Sequence, residues 1–254
     1  MSDLDGKVIL VTGGAGGIGA ASCEVLAGAG ARLVISDIAK DAGQAIADAI
    51  CAQGGEAIFV QADLSSEQAI EGLVGQAVSH FGRLDGAFNN AGLEQHNTPL
   101  DQLSLSQWNS VIQIDLTAVF LCIKHQSRAM LANGGGSIVN TASGLGQIAI
   151  PNAGEYVAAK HGVIGITRAA AADFGAKGIR VNAILPGIVR TPMMDRLSQD
   201  PDFSGHIEKL RLRHLMQRFA EPAEIGEAAR WLLSDRASFV NGIALAVDGG
   251  ALAN

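Results

Sequence analysis

Tyr156 and Lys160 stand four residues apart in the stretch Tyr156-Val157-Ala158-Ala159-Lys160. On an α-helix that spacing puts the phenol and the ammonium on one face, one turn apart. A cation there favours the phenolate over the phenol, which suits proton transfer near neutral pH. The surrounding run, Ala153 to Phe174, is rich in Ala, Val and Ile and has no proline, so it reads as a helix. The same spacing also arises by coincidence on solvated helix faces. The pair therefore carries chemistry only if other stretches require it.

Ser143 supplies a hydroxyl 13 residues before Tyr156, just past the apolar run Ser137 to Thr141. The loop from Gly144 to Gly154 is small and apolar, with Pro151. It suits one wall of a substrate pocket, although Ser143 could equally be a turn hydroxyl bonding backbone. Near the start, the Val/Ile-rich run Lys7 to Thr12 meets the glycines Gly13, Gly14, Gly16, Gly17 and Gly19. Ile18, Ala21, Val25 and Ala29 then recur at helical spacing. Strand, glycine turn and helix form the first half of a dinucleotide-binding unit. Its glycines admit a pyrophosphate, and the helix start offers free N–H groups. A turn that only packs strand on helix is the plainer alternative.

The next strand, Ala31 to Ser36, ends at Asp37, 18 residues past Gly19. An acid there suits ribose hydroxyls and repels a 2′-phosphate. Ile38 follows where an arginine would welcome that phosphate, so NAD is expected over NADP. Asp37 is also a plausible N-cap for the following helix.

These groups need a frame to converge on. The order is helix Asp41–Gln53, strand Glu56–Gln61 running into Asp63-Leu64, helix from an N-cap at Ser66 to Phe81, and strand Leu84–Phe88 into Asn89-Asn90-Ala91-Gly92. The alternation predicts an α/β fold, a doubly wound parallel sheet with helices on both faces. Gly13, Asp37, Asp63 and Asn89 all fall at strand carboxyl ends, where such sheets bind ligands. A long helix is expected over Ser104–Leu131. Trp108, Ile112, Asp115 and Val119 share one face of it, so Asp115 interrupts an apolar stripe and needs a polar partner or water, unless the helix is rotated to wet it. A sixth strand (Ile179–Leu185) precedes Pro186-Gly187-Ile188-Val189-Arg190-Thr191-Pro192-Met193. From Met194 to Ala220 short helices of a mobile lid are expected. A last helix (Glu221–Ser234) and a seventh strand (Ile243–Val247) follow. Residues 1–254 read as one domain, with the lid at about 188–220.

Composition excludes several roles. The chain of 254 residues is 48% hydrophobic and 17% charged, with a net charge of −7. Nucleic acid is not an expected partner of such a surface. Cys23, Cys51 and Cys122 form no CxxC pair or metal spacing, so no metal is expected and a reduced, cytoplasmic setting fits. No signal segment or membrane-spanning run is read.

The set Thr12-Gly-Gly-Ala-Gly-Gly-Ile-Gly19, Asp37, Asp63-Leu64, Asn89-Asn-Ala-Gly92, Ser143, Tyr156-xxx-Lys160, Pro186-Gly-Ile-Val-Arg-Thr191 and Asp248-Gly-Gly250 resembles the short-chain dehydrogenase/reductases of the compact ~250-residue type. The resemblance implies a Rossmann-type seven-stranded sheet in the order 3-2-1-4-5-6-7. It implies Tyr156 as general acid/base, Lys160 on the nicotinamide ribose, and Ser143 on the substrate oxygen. Cofactor contacts would come from Gly13, Gly17, Ile18, Gly19, Asp37, Ile38, Asp63, Leu64, Asn89, Ala91, Gly92, Tyr156, Lys160, Pro186, Gly187, Ile188, Thr191 and Met193. Asp115 stands where the family usually has asparagine, which is expected to alter the pH optimum. Homotetramers are common in the family, and the Ala-rich helix 163–174 suits a helix interface.

The chain further resembles bacterial cyclic-alcohol and cyclohexadienediol dehydrogenases. The expected substrate is an apolar cyclic or aryl-substituted secondary alcohol or ketone, or a ring diol. Leu145, Ile148, Ile150, Met193 and Met194 would wall the pocket, with Glu94 and Gln95 nearby; His96 in the same loop either touches substrate or is solvated. A 3-oxoacyl-carrier or CoA reductase and a non-catalytic NAD-sensing protein are the competing readings.

Overall fold

The computed structural model describes residues 3–191, 194 and 201–253. Seven parallel strands form one sheet in the order β3-β2-β1-β4-β5-β6-β7. In chain order they are β1 (Val8–Thr12), β2 (Arg32–Asp37), β3 (Glu56–Gln61), β4 (Gly86–Asn89), β5 (Gly136–Thr141), β6 (Ile179–Pro186) and β7 (Ala244–Val247). The helices are α1 (Gly17–Gly28), α2 (Lys40–Ala52), α3 (Glu67–Phe81), α4 (Leu105–Ile112), α5 (Ala118–Ala132), α6 (Gly154–Phe174), α7 (Pro201–Leu212) and α8 (Pro222–Leu233). The expected class and strand order are both present.

The strands are apolar throughout because both faces are covered. All five β1 residues are buried. Val8 and Leu10 join a core layer with Leu73, Val119 and Val163 from α3, α5 and α6. Ile9 and Val11 join the opposite layer with Leu26, Ala47 and Leu232 from α1, α2 and α8. Strand alternation thus sends neighbouring residues to two cores. Each fully buried aliphatic side chain contributes roughly 1.5–3 kcal/mol.

Local chemistry sets the ends. Ser66 caps α3 as expected, its hydroxyl accepting from the Ala69 N–H. Ser104 and Gln107 close a reciprocal capping box on α4. The expected uninterrupted helix 104–131 needs correction. A π-helical segment, Gln113–Thr117, separates α4 from α5. Within the expected lid, Met194 is helical and α7 occupies 201–212. The remaining lid positions 192, 193 and 195–200 lie outside the described residues. Among those described, no helix is long and apolar enough to cross a membrane.

Candidate active site

The site gathers at the carboxyl ends of β1, β2, β4, β5 and β6. Gly13 takes a positive φ of 65°, and a Cβ there would lie 2.8 Å from Ala91 Cα. A Cβ on Gly19 would lie 1.9 Å from the Gly13 carbonyl oxygen. Only glycine lets this turn fold so tightly. No side chain caps the first turn of α1, so its N–H groups are available to an anion. Across the turn, the Thr191 methyl lies 3.2 Å from where a Gly17 Cβ would be.

Asn90 clamps the same turn. Its amide donates to the carbonyls of Thr12 and Gly13, and its N–H donates to the Thr12 hydroxyl. Asn90 belongs to the Asn89–Gly92 stretch expected beside the cofactor, although it is not singled out there as a contact. Asn89 itself braces the sheet. Its amide donates to Gln126 and Asn140 and accepts from Gln126, all three buried, and Asn140 continues to Thr167. That side chain is spent inside the protein and does not face a cofactor.

Asp37 ends β2 and accepts from the Ala15 N–H of the glycine turn and from the Ala39 N–H ahead of α2, both at 3.0 Å. The N-cap of α2 is Ala39, with no side-chain cap, so Asp37 does not fill the N-cap position; it stands beside the dinucleotide turn and braces the link to α2. Ile38 is 68% exposed. Asp63 accepts from the Ser65 N–H, which holds its carboxyl below the usual range. The Leu64 side chain packs into the core, which leaves its backbone to flank an adenine. Pro186 is buried in β6, and the Gly187 N–H donates to Val247. The Ile188 N–H donates to His214 Nε2, and its carbonyl accepts from the Ala220 N–H while keeping a second lone pair. The buried His214 lies in the stretch read only as lid.

The chemistry-bearing end is a buried charge system. Tyr156 is half-buried and Lys160 is buried in α6. Lys160 Nζ lies 5.2 Å from the Tyr156 ring centroid and donates to the Thr141 carbonyl at the end of β5. Asp115 Oδ2 stands 3.0 Å from Nζ as an ion pair. Asp115 Oδ1 accepts from the Leu93 N–H at 2.7 Å. Its burial is complete, so the rotated, wetted alternative is excluded and the polar partners are Leu93 and Lys160. Gly92 passes close by, and its added Cβ would lie 3.3 Å from Asp115. Burial works against the Lys160 charge, but Tyr156 and Asp115 outweigh it and hold the ammonium above the usual lysine range.

Ser143 stands two residues past the Lys160 contact and caps the short turn Gly144–Gly146, accepting from the Leu145 N–H. Its own O–H remains a donor. Leu145 and Ile150 are half-buried and Ile148 exposed in the expected wall. Glu94 is exposed and Gln95 half-buried. Met194 is half-buried, its N–H 3.5 Å from the Thr191 hydroxyl. Met193 lies outside the described residues.

A family model described as enoyl-(acyl carrier protein) reductase, of the short-chain alcohol dehydrogenase class, matches residues 13–251. The chain belongs to the short-chain dehydrogenase/reductase family. It is 48% identical over 252 residues to a 2,5-dichloro-2,5-cyclohexadiene-1,4-diol dehydrogenase of Sphingobium indicum, covering 98% of each chain. It is 42% identical to a cyclohexanol dehydrogenase of an Acinetobacter species, covering 97% of this chain and 95% of the other. A solved Beutenbergia cavernae structure, described as an NAD(P)-dependent gluconate 5-dehydrogenase with NADP at low occupancy, superposes with a TM-score of 0.92 at 35% identity, covering 99% of each chain. This short-chain dehydrogenase/reductase shares the family's nicotinamide cofactor class. The glycine turn and uncapped α1 start fit that group.

Proposed function

We infer that this chain is an NAD(H)-dependent dehydrogenase. It interconverts a cyclic secondary alcohol, or a ring diol, with its ketone. The observation that carries the reading is the buried Lys160 ammonium beside the Tyr156 ring, with Ser143 at the strand end Lys160 is tied to. In the alcohol-to-ketone direction, Ser143 donates a hydrogen bond to the substrate oxygen and holds developing charge there. The Tyr156 phenolate oxygen takes the hydroxyl proton as the C–O bond becomes C=O. When bound, the nicotinamide accepts the hydride from that carbon, or returns it in reduction. Lys160, buried beside the Tyr156 ring, sets a positive charge next to that proton-transfer group.

NAD over NADP rests on Asp37 at the end of β2 and on Ile38 after it. The cyclic substrate rests on the two relatives' names and on the apolar wall. We read residues 1–254 as one domain working as a cytoplasmic homotetramer. The exposed small residues Gly165, Ala169 and Ala172 of α6 suit close helix packing between copies.

The test is absorbance at 340 nm with cyclohexanol and cyclohexane-diols, NAD and NADP in parallel. Turnover with NAD is expected. Preference for NADP would overturn the Asp37 reading, and inactivity on every ring alcohol would overturn the substrate class.

A further inference from the structure

Glu155 is a carboxylate with no exposed surface, one residue before Tyr156. Burying a charge is costly unless something compensates. Here it sits in the first turn of α6, where the helix dipole favours an anion. Oε1 accepts from the His96 N–H at 2.8 Å, and the His96 ring stands 3.8 Å away. Oε2 is buried with no hydrogen-bond partner among the described residues.

The His96 bond is one of two pins. Three residues earlier, the Leu93 N–H donates to Asp115, equally buried and ion-paired to Lys160. Two shielded carboxylates thus fasten one short loop, Glu155 directly to the helix that carries Tyr156 and Lys160, and Asp115 from the π-helical segment through its ion pair with Lys160. The loop needs fastening. Asn97, next after His96, holds a left-handed φ of 54°, which a non-glycine residue adopts at a cost. Leu100 then lies against the start of α6, its Cδ1 2.8 Å from where a Gly154 Cβ would be. Between the pins stand Glu94 and Gln95, neither buried.

We propose that Glu155 is a positioning residue for substrate: its carboxylate fixes His96, and with it the wall formed by residues 93–97 beside Tyr156. This rests on the dehydrogenase reading above. A wall held in place before binding spares the ordering cost that a loose loop would charge against affinity. The glycine turn and Asp37, where the dinucleotide is expected to be held, make no hydrogen bond to Glu155 or His96 among the described residues.

The experiment compares wild type, Glu155→Ala and Glu155→Gln. Glutamine keeps an acceptor oxygen for the His96 N–H, and alanine does not. Hydrogen exchange of the peptide spanning 93–103 is expected to speed up in Glu155→Ala and to stay near wild type in Glu155→Gln. The KM for cyclohexanol should rise about tenfold in Glu155→Ala, with the KM for NAD within twofold and kcat little changed. Glu155→Gln should recover most of the substrate KM. Unchanged exchange in Glu155→Ala, or a KM for NAD that rises in step with that for cyclohexanol, would overturn the proposal. Wild type inactive on cyclohexanol and the diols would sink the dehydrogenase reading instead, and exchange alone would then decide whether Glu155 holds the loop. Should Glu155→Ala fail to fold, Glu155→Met, which fills a similar volume without offering an acceptor, takes its place: faster exchange over 93–103 would support the pin, and exchange identical to wild type would overturn it.

Discussion

Asp115 and Lys160 face each other at 3.0 Å, with side-chain exposures of 0% and 4%. Asparagine at that position could bond the ammonium but could not share its charge. A carboxylate there draws the Lys160 charge partly to itself and leaves less of it for the phenolate. In Asp115→Asn the pH–rate profile for alcohol oxidation should therefore move relative to wild type. An unmoved profile would remove any electrostatic role for Asp115.

The same pair sets an alkaline limit on stability. Lys160 titrates above its unfolded value when folded. Its contribution is thus complete below the unfolded lysine range, about 10.4, and is lost as pH rises through the folded value. Chemical denaturation at pH 8, 10 and 11 should show wild type losing stability over the upper interval. Asp115→Asn, with a smaller shift, should lose less.

Tyr156→Phe keeps the ring over which Lys160 sits and removes only the hydroxyl. Turnover should fall at least ~10³-fold. NADH binding, followed by fluorescence titration, should change little. A variant with a tenth of wild-type activity would point to another proton acceptor.

Cofactor preference should turn on two adjacent positions. Asp37→Ala combined with Ile38→Arg removes the acid and adds a phosphate partner. The NAD/NADP ratio of kcat/KM should swing towards NADP by about two orders of magnitude, read at 340 nm. Asp37 also accepts from Ala15 and Ala39, so a melting curve should accompany the kinetics. A ratio that does not move would mean that the discrimination lies elsewhere.

The amide network under the site is a stability element. Asn89→Ala would strand Gln126 and Asn140, both fully buried. The expected cost is ~2 kcal/mol, or a Tm lower by about 4–8 °C for a chain of this length. A melting temperature within a degree of wild type would show that water or rotamer change repairs the gap.

How much of this could be read from the chain depended on how local each signal was. The strands and the glycine turn announce themselves within a few residues, because a parallel sheet demands apolar runs and a pyrophosphate turn demands missing side chains. Asp115 was legible as an interruption of the Trp108–Ile112–Val119 stripe, although Trp108 and Ile112 are only half-buried. The π-helical turn beneath it was not, since a changed hydrogen-bond register leaves no residue signature. Glu155 escaped notice because an acid at a helix start is ordinary on a surface. Its burial depends on His96, 59 positions away. Asn89 and Asn90 differ in role only through the strand's alternation, which sends one amide inward and the other to the glycine turn. His214 reaches Ile188 across 26 residues, and no nearby pattern flags it.

The wide turn at Gln113–Thr117 has a consequence for how this enzyme can change. A regular helix rotates about 100° per residue, so an extra residue absorbed there leaves α4 and α5 in different angular settings. One setting serves the entrance, where the capped start of α4 follows the pinned loop. The other serves the scaffold, where Cys122, Gln126 and Met130 of α5 are buried. With the two phases uncoupled, substitutions that reshape the entrance need not be matched by substitutions under the sheet. Substrate range can then diverge among relatives while the frame stays constant.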